Sequence, residues 1–170
     1  VYNIIAAYAA ARLCSFELAD INDILAKYKP QTGRMQQFNI GKNVILNLVK
    51  NSAGFNQTIS TLLNDKRKKD IIIAINDNAQ DGKDVSWLWD VQFKLLDNAQ
   101  IGNIITSSIR CDDVSVCLKY FGLENVKKVC DIKGAITQGL KTENDVLYII
   151  VNYTALFSAK KILDGDDFED

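Results

Sequence analysis

The sequence contains no histidine among its 170 residues. Histidine is the side chain that most often activates a catalytic cysteine or serine near neutral pH. A Cys–His or Ser–His–Asp nucleophile therefore cannot be assembled within this chain. Any chemistry of that kind requires a second protein that supplies the imidazole.

Long apolar runs and an excess of one charge are also missing. No stretch approaches the length of a membrane span, and the opening VYNIIAAYAAARL resembles an alanine-rich helix rather than a signal sequence. The formal charge is only -1, which does not favour nucleic acid or an anionic membrane as a partner. One cationic cluster, KRKK at 66–69, is expected to solubilise a turn between a helix and a strand. We expect a soluble chain.

The four cysteines lack any C-x-x-C pair and lie in apolar, helix-like or strand-like context. This pattern argues against a zinc site and predicts buried free thiols, which favours a reducing cytoplasm. The residues concerned are Cys14, Cys111, Cys117 and Cys130.

Short apolar runs bounded by turn residues alternate with helical patterns along most of the chain. This alternation predicts an α/β fold: a three-layer, Rossmann-like, mostly parallel sheet with helices on both faces and right-handed crossovers. A hairpin turning at Gly41 adds an antiparallel edge. The predicted strands lie at 44–49, 71–75, 103–108, 127–132 and 146–152.

Two helical patterns occupy the first thirty residues and are followed by KPQTGR, which holds the only proline. Proline and glycine so close together indicate a linker. We therefore predict N-terminal helices from another domain at 1–30 and the α/β domain at 31–163. The acidic stretch at 164–170 is expected to be disordered.

The segment INDNAQDGKDVSWLWD at 75–90 follows a predicted buried strand and is rich in aspartate and tryptophan. Ligands of open α/β sheets collect at the carboxyl ends of parallel strands, so these carboxylates could orient or bind something across a crevice. Alternatively the segment is a polar turn in which Asp84 caps a short helix and the tryptophans join the core. Both interpretations remain open from the residues alone.

No complete phosphate loop is present. The GKN at Gly41 lacks the preceding glycine and the Ser or Thr that holds magnesium, and there is no G-x-G-x-x-G. The chain by itself is therefore not expected to bind ATP in a complete site.

Several segments resemble the Mur ligase family. YNIIAAYAAARL and GRMQQF resemble the junction between the central ATPase domain and the C-terminal domain of these enzymes. NLVKNSAGFNQTI departs from the DYAHNP segment that Mur ligases carry at this place. INDNAQDGKDVSWLWD and NYTALFSAKKIL resemble the MurT subunits of lipid II isoglutaminyl synthase. The resemblance covers essentially the whole chain.

The resemblance implies a Mur ligase C-terminal domain preceded by the last helices of the central domain. In such an enzyme the MurT subunit uses ATP and Mg2+ to activate the D-glutamate carboxylate of the lipid II stem peptide. A GatD-type glutaminase partner supplies ammonia from glutamine. ATP and Mg2+ would be bound mostly outside this chain, and neither is expected in the chain alone.

Site residues also follow from the resemblance, which implies that the C-terminal domain adds an acidic third member to the partner's Cys–His pair. Asp77 is the first choice because it directly follows the strand, whereas Asp81 and Asp84 lie on a looser turn. Asn3 resembles the asparagine that Mur ligases place near adenine, and Arg34 the arginine at the interdomain hinge. Without the resemblance, Asn3 would be a helix N-cap and Arg34 a solvated linker charge.

Two other functions remain open at this point. One is a non-catalytic α/β interaction module, in which the tryptophans and the acidic loop only form a protein interface. The other is the C-terminal domain of a Mur ligase that adds an amino acid. The missing phosphate loop and the altered DYAHNP region argue against the second.

Overall fold

The computed structural model describes residues 2–27 and 32–165, which form two compact units divided between residues 31 and 32. The first unit contains helices α1 (Tyr2–Leu13) and α2 (Leu18–Lys27). The predicted linker proline and the last five residues of the acidic tail lie outside the described residues.

The second unit is an α/β domain with one six-stranded sheet. Its strand order is β1-β2-β6-β3-β4-β5, and every neighbouring pair is parallel except β1 and β2. The predicted fold class is therefore confirmed. The elements are β1 (Gln36–Asn39), β2 (Asn43–Leu48), α3 (Ser52–Asn64), β3 (Lys69–Ala74), β4 (Ile101–Ser107), α4 (Cys111–Tyr120), β5 (Val126–Lys128), α5 (Ile132–Leu140), β6 (Val146–Val151) and α6 (Tyr153–Asp164), with 3-10 helices at Ser86–Asp90 and Phe93–Leu96.

The α-helices of this domain form one layer on each face of the sheet. In β3, Ile71 and Ile73 point to one face and pack with residues of α3 and α4, whereas Ile72 and Ala74 pack with residues of α5 and α6. All six residues of β3 are buried. A strand covered on both faces needs apolar residues at successive positions, which is why IIIA reads as a continuous run rather than an alternation.

Two glycines shape the start of this domain. Gly41 turns the β1–β2 hairpin with a φ of 77°, as predicted. Gly33 has a φ of 75°, and a Cβ there would lie 2.9 Å from a methyl carbon of Leu156. The carbonyl of Gly33 accepts a hydrogen bond from Leu48 N at 2.7 Å, so the first residues of the domain lie beside the end of β2.

The starts of α5 and α3 are each set by a side chain that accepts a backbone hydrogen bond, and the first of them shortens a predicted strand. The strand predicted at 127–132 is only Val126–Lys128, because the Asp131 side chain accepts a hydrogen bond from Gly134 N at 2.6 Å and begins α5. At the start of α3 the N-cap is Asn51, whose side chain accepts from Gly54 N at 2.9 Å. Ser52 is the first helical residue.

The prediction of four buried free thiols is wrong. Cys111 and Cys130 form a disulfide with Cα atoms 5.6 Å apart, and Cys14 is exposed. Only Cys117 is a buried free thiol, and its burial raises the pKa to about 11. The pairing escaped sequence analysis because 19 residues separate the two cysteines. The inference of a reducing compartment from thiol burial therefore loses its basis.

Counting thiols checks this correction. When the chain is unfolded in denaturant without reductant, two thiols, those of Cys14 and Cys117, are expected to react with a colorimetric thiol reagent. After reduction the count should rise to four. A Cys111→Ser variant should instead show three thiols without reductant, since Cys130 is then unpaired. Four thiols before reduction of the original chain would contradict the disulfide.

The cationic cluster at 66–69 is not wholly a solvated turn. Lys69 begins β3 and is fully buried, and its ammonium donates a hydrogen bond to Asp65 O at 2.8 Å. Burial lowers the pKa of Lys69. Arg67 lies on the surface and pairs with Asp65 through two of its nitrogens. The expectation that the cluster serves only solubility was therefore wrong for Lys69.

Candidate functional site

The polar side chains of this domain concentrate where β3, β4 and β6 end. Asn76 follows β3, and its backbone N donates to Asn152 Oδ1 at 3.0 Å. Asn152 follows β6 and returns the contact by donating from Nδ2 to Asn76 O at 2.7 Å. Asn76 Oδ1 also accepts from the backbone of Ile109, beyond β4, at 3.1 Å. Three strand ends are thus joined through one buried asparagine pair.

Asp77 comes directly after this asparagine and faces a cation. Its Oδ2 lies 3.0 Å from Arg110 Nη2 and 3.5 Å from Lys83 Nζ, and 15% of its side chain is exposed. No described residue donates a hydrogen bond to its other carboxylate oxygen, Oδ1. Asp77 therefore keeps one oxygen that can accept a hydrogen bond from another molecule.

Asp81 is occupied by a structural task. Its Oδ1 accepts from Thr154 N at 2.9 Å, and its Oδ2 accepts from the Thr154 hydroxyl. Thr154 lies in the first turn of α6, where the side chain of the N-cap residue Asn152 makes no capping bond. Asp81 thus caps α6 from a distant part of the chain and satisfies an N–H that the helix itself cannot.

Asp84 is exposed and binds the start of the first 3-10 helix. Its Oδ1 accepts from Ser86 N at 2.8 Å. Hydrogen bonds from the Ser86 side chain and backbone lower the pKa of Asp84. Asp84 is not the N-cap of this helix, because that position is Val85, which makes no side-chain cap. Of the three aspartates, only Asp77 has an arginine partner.

The two remaining predicted residues are exposed and lie in different units. Asn3 belongs to α1, inside the helix rather than at an N-cap position, and Arg34 lies in the turn before β1. No described residue makes a hydrogen bond or ion pair with either side chain. Their assignment to a nucleotide therefore stays a prediction.

The tryptophans have two different environments. Trp87 is partly buried against the core, with its ring centroid 6.5 Å from that of Phe55. Trp89 is 50% exposed and contacts Tyr120 edge to face at 5.6 Å. The interpretation in which the tryptophans join the core therefore fits Trp87 and not Trp89.

Two cavities flank the acidic loop. One, of about 250 Å³, is lined by residues at the carboxyl ends of β2 and β6 together with Asp81 and Trp87. The other, of about 480 Å³, lies between the first 3-10 helix and α4. Its apolar lining includes Trp89 and Val116, and its rim carries Asp84, Asp112 and Asp113.

The residues that hold Asp77 in place were not predicted from the sequence. IIIAIN and YIIVN both end a buried strand with asparagine, and this repeat was the available signal for the Asn76–Asn152 pair. Arg110 ends the loop after β4, so the rule that ligands collect at carboxyl strand ends could have singled it out. Its pairing with Asp77, 33 residues away, had no local signal.

In the part of the chain that the structure describes, no three Cys, Asp or Glu side chains lie together as a metal site would require. Within the same residues, no helix is both long and apolar enough to cross a bilayer.

Comparison with known proteins decides the family. The family model described as MurT ligase C-terminal matches residues 48–156, which include the Asp77 loop and the start of α6. The chain belongs to the MurT ligase C-terminal family. Two of the stretches that carried the resemblance, 75–90 and 152–163, meet through the Asn76–Asn152 and Asp81–Thr154 contacts.

Two individual MurT subunits are similar in sequence to this chain. The chain is 36% identical over 124 residues to the lipid II isoglutaminyl synthase (glutamine-hydrolyzing) subunit MurT of Staphylococcus aureus, covering 72% of this chain and 28% of that protein. It is 30% identical over 168 residues to the Streptococcus pneumoniae MurT subunit, covering 96% and 37%. The chain thus spans about a third of the length of these relatives.

A solved structure shows the same fold at low identity. The MurF ligase from Thermotoga maritima in complex with ADP superposes with a TM-score of 0.66 and 16% identity, over 95% of this chain and 36% of that one. The likeness shows that the chain shares its fold with this MurF ligase.

Proposed function

We propose that this chain is the C-terminal part of a MurT-like ligase subunit. With a GatD-type glutaminase, the whole enzyme would amidate the D-glutamate of the lipid II stem peptide to D-isoglutamine at the expense of ATP and glutamine. The MurT subunits that the chain resembles are named as subunits of a glutamine-hydrolysing lipid II isoglutaminyl synthase. We place the reaction in the cytoplasm, where ATP is available.

One observation carries the proposal. A chain without histidine presents Asp77 at the carboxyl edge of its sheet, held by Arg110 and with one carboxylate oxygen unused. A Cys–His pair needs such a carboxylate, because it orients the imidazole and stabilises the imidazolium that forms. The partner would supply cysteine and histidine, and this chain would supply the acid.

ATP and Mg2+ belong to the whole protein in this proposal. The MurF ligase of the same fold is described with ADP. ATP, when bound, would activate the carboxylate that receives ammonia. The described residues supply no phosphate loop, so this chain would add at most Asn3 and Arg34 to the nucleotide site. The α/β domain itself would position the partner and its ammonia source.

Reconstitution tests the proposal. The full-length protein and the glutaminase should each hydrolyse little glutamine alone, whereas the mixture should hydrolyse glutamine and amidate lipid II when ATP is present. The same amidation with ammonium in place of glutamine should proceed without the glutaminase. A full-length protein that adds an amino acid to the stem peptide instead would show that the chain belongs to an amino-acid-adding ligase.

The interaction-module alternative is favoured by one feature, the exposed Trp89–Tyr120 pair beside the apolar cavity. Exposed aromatic pairs of this kind commonly anchor protein interfaces. Both functions predict that this surface binds a partner, and they differ in whether an aspartate on the neighbouring loop changes catalysis.

Alanine variants separate the two tryptophans. Trp87→Ala is expected to destabilise the fold by about 3 kcal/mol, because the ring packs on the core. Trp89→Ala should change stability by less than about 1 kcal/mol while weakening partner binding by about 2 kcal/mol, roughly thirtyfold in Kd. Urea unfolding and calorimetric titration with the partner measure both quantities. An unchanged Kd for Trp89→Ala would remove this surface from the interface.

A further inference from the structure

Arg110 binds the Asp77 carboxylate, and its own backbone is held by a hydrogen bond and by a neighbouring disulfide. Its backbone N donates to Ile75 O at 2.9 Å, which ties the loop after β4 to the end of β3. The next residue, Cys111, is bonded to Cys130. From this anchored backbone the guanidinium reaches Asp77 Oδ2 at 3.0 Å and Asp113 Oδ2 at 3.3 Å.

The placement of Arg110 is poor for stability. It occupies the N-cap position of α4 without making a side-chain cap, where Ser, Thr, Asn or Asp would satisfy a free N–H. A cation at this end also opposes the helix dipole, although Asp112 and Asp113 in the first turn offset that charge. Its Nε is buried without a hydrogen-bond partner. Residues kept against local stability rules are characteristic of functional sites.

We propose that Arg110 is a positioning residue for the partner's catalytic pair. By binding Oδ2 of Asp77, it directs Oδ1 outward, where it can accept the N–H of the partner's imidazole. Lys83 cannot replace it, since its ammonium is 3.5 Å away and its side chain is 80% exposed. The guanidinium stays protonated at all relevant pH values and presents donors in a fixed plane. This inference rests on the proposed function.

The test uses the full-length protein with its glutaminase. Arg110→Gln is expected to lower kcat for glutamine hydrolysis roughly tenfold to a hundredfold, the loss typical of a misplaced catalytic group. KM for glutamine and the Kd for the partner should not change. In an Asp77→Asn background the same substitution should produce no further loss. A matched control is Arg67→Gln, which removes an arginine bound to Asp65 before the other end of β3 and should leave kcat unchanged.

Arg110→Ser separates positioning from folding, because serine is a good N-cap. We expect its melting temperature to equal or exceed that of the original protein, while kcat falls as in Arg110→Gln. Added guanidinium ion should restore part of the activity of Arg110→Ser and none of that of Asp77→Asn.

The other possible outcomes distinguish failure of the positioning role of Arg110 from failure of the proposed function. If Asp77→Asn abolishes hydrolysis and both Arg110 variants keep full kcat, the positioning role is wrong and the proposed function stands. If Arg110→Gln lowers kcat equally in the Asp77→Asn background, Arg110 acts by another route and the inference is overturned. If Asp77→Asn itself retains full activity, Asp77 is not the shared acid and the inference is overturned, while the proposed function stands only if Asp81→Asn or Asp84→Asn abolishes hydrolysis.

Discussion

Replacing Asp77 with asparagine is expected to lower glutamine hydrolysis by the assembled enzyme by a factor on the order of 10³ to 10⁴. The amide keeps the shape of the side chain but loses the charge that stabilises the imidazolium, and it can favour the wrong tautomer. Binding of the partner should change little, because Asp77 is small and 15% exposed. Steady-state ammonia release by the mixed subunits measures the effect.

Ammonium provides the control for this variant. If only the supply of ammonia is damaged, saturating ammonium should restore lipid II amidation by Asp77→Asn to the original rate. Failure of this rescue would place Asp77 in the ligase reaction rather than in the partner's triad.

The neighbouring aspartates serve as matched variants. Asp81→Asn should destabilise the fold by about 1 to 2 kcal/mol through the lost cap on α6, and Asp84→Asn should change little. Both should hydrolyse glutamine normally. If instead one of them abolishes hydrolysis and Asp77→Asn does not, the site is correct and the residue is wrong. Normal hydrolysis by all three variants would refute the shared triad.

The largest expected effect on stability comes from Asp70, which lies near the amino-terminal end of the central strand β3. Asp70 is fully buried, and its Oδ1 accepts hydrogen bonds from Asn103 N, Asn103 Nδ2 and Asn144 Nδ2, each at 2.8 Å. Its Oδ2 faces Lys42 at 3.4 Å and accepts from the Thr142 hydroxyl. Asp70→Ala should cost about 3 to 5 kcal/mol, because it leaves a buried ammonium without its counter-ion. Urea unfolding measures this loss.

Two variants calibrate that result. Asp70→Asn keeps the acceptor for Asn103 but places a neutral amide beside Lys42, so its cost should be smaller than that of alanine. Glu124→Ala, in an exposed loop, should lie within about 0.5 kcal/mol of the original chain. A cost below about 1 kcal/mol for Asp70→Ala would mean that water reaches Lys42 in the folded chain.

The hydrogen bonds to Asp70 should also make the stability of the fold depend on pH in the acidic range. Burial alone would raise the pKa of Asp70, but hydrogen bonds from Thr142, Asn103 and Asn144 outweigh it and hold the pKa below its usual value. A carboxyl with a lowered folded pKa contributes stability that is fully present above its unfolded pKa of about 3.9. That contribution is lost as the pH falls through the folded value. The chain should therefore lose stability below about pH 4, and Asp70→Asn should show a shallower loss.

The sequence by itself determined which segments become strands and helices in the α/β domain. The apolar runs at 44–49, 71–75 and 146–152 correspond to β2, β3 and β6, because strands buried on both faces require such runs. Gly41 marked the hairpin, because a left-handed turn favours glycine. The missing histidine excluded an internal Cys–His nucleophile. These signals are local or compositional, so they can be read without a fold.

Only the tertiary structure decided which of these residues meet. It paired Cys111 with Cys130, buried Lys69 of a cluster that looked solvated, and separated the roles of three aspartates that the sequence presents alike. Asp77 stands beside Arg110 and Asp81 beside Thr154 because parallel strands bring distant loops to one edge of the sheet. Contacts across 33 or 73 residues depend on strand order, and strand order has no short-range signal.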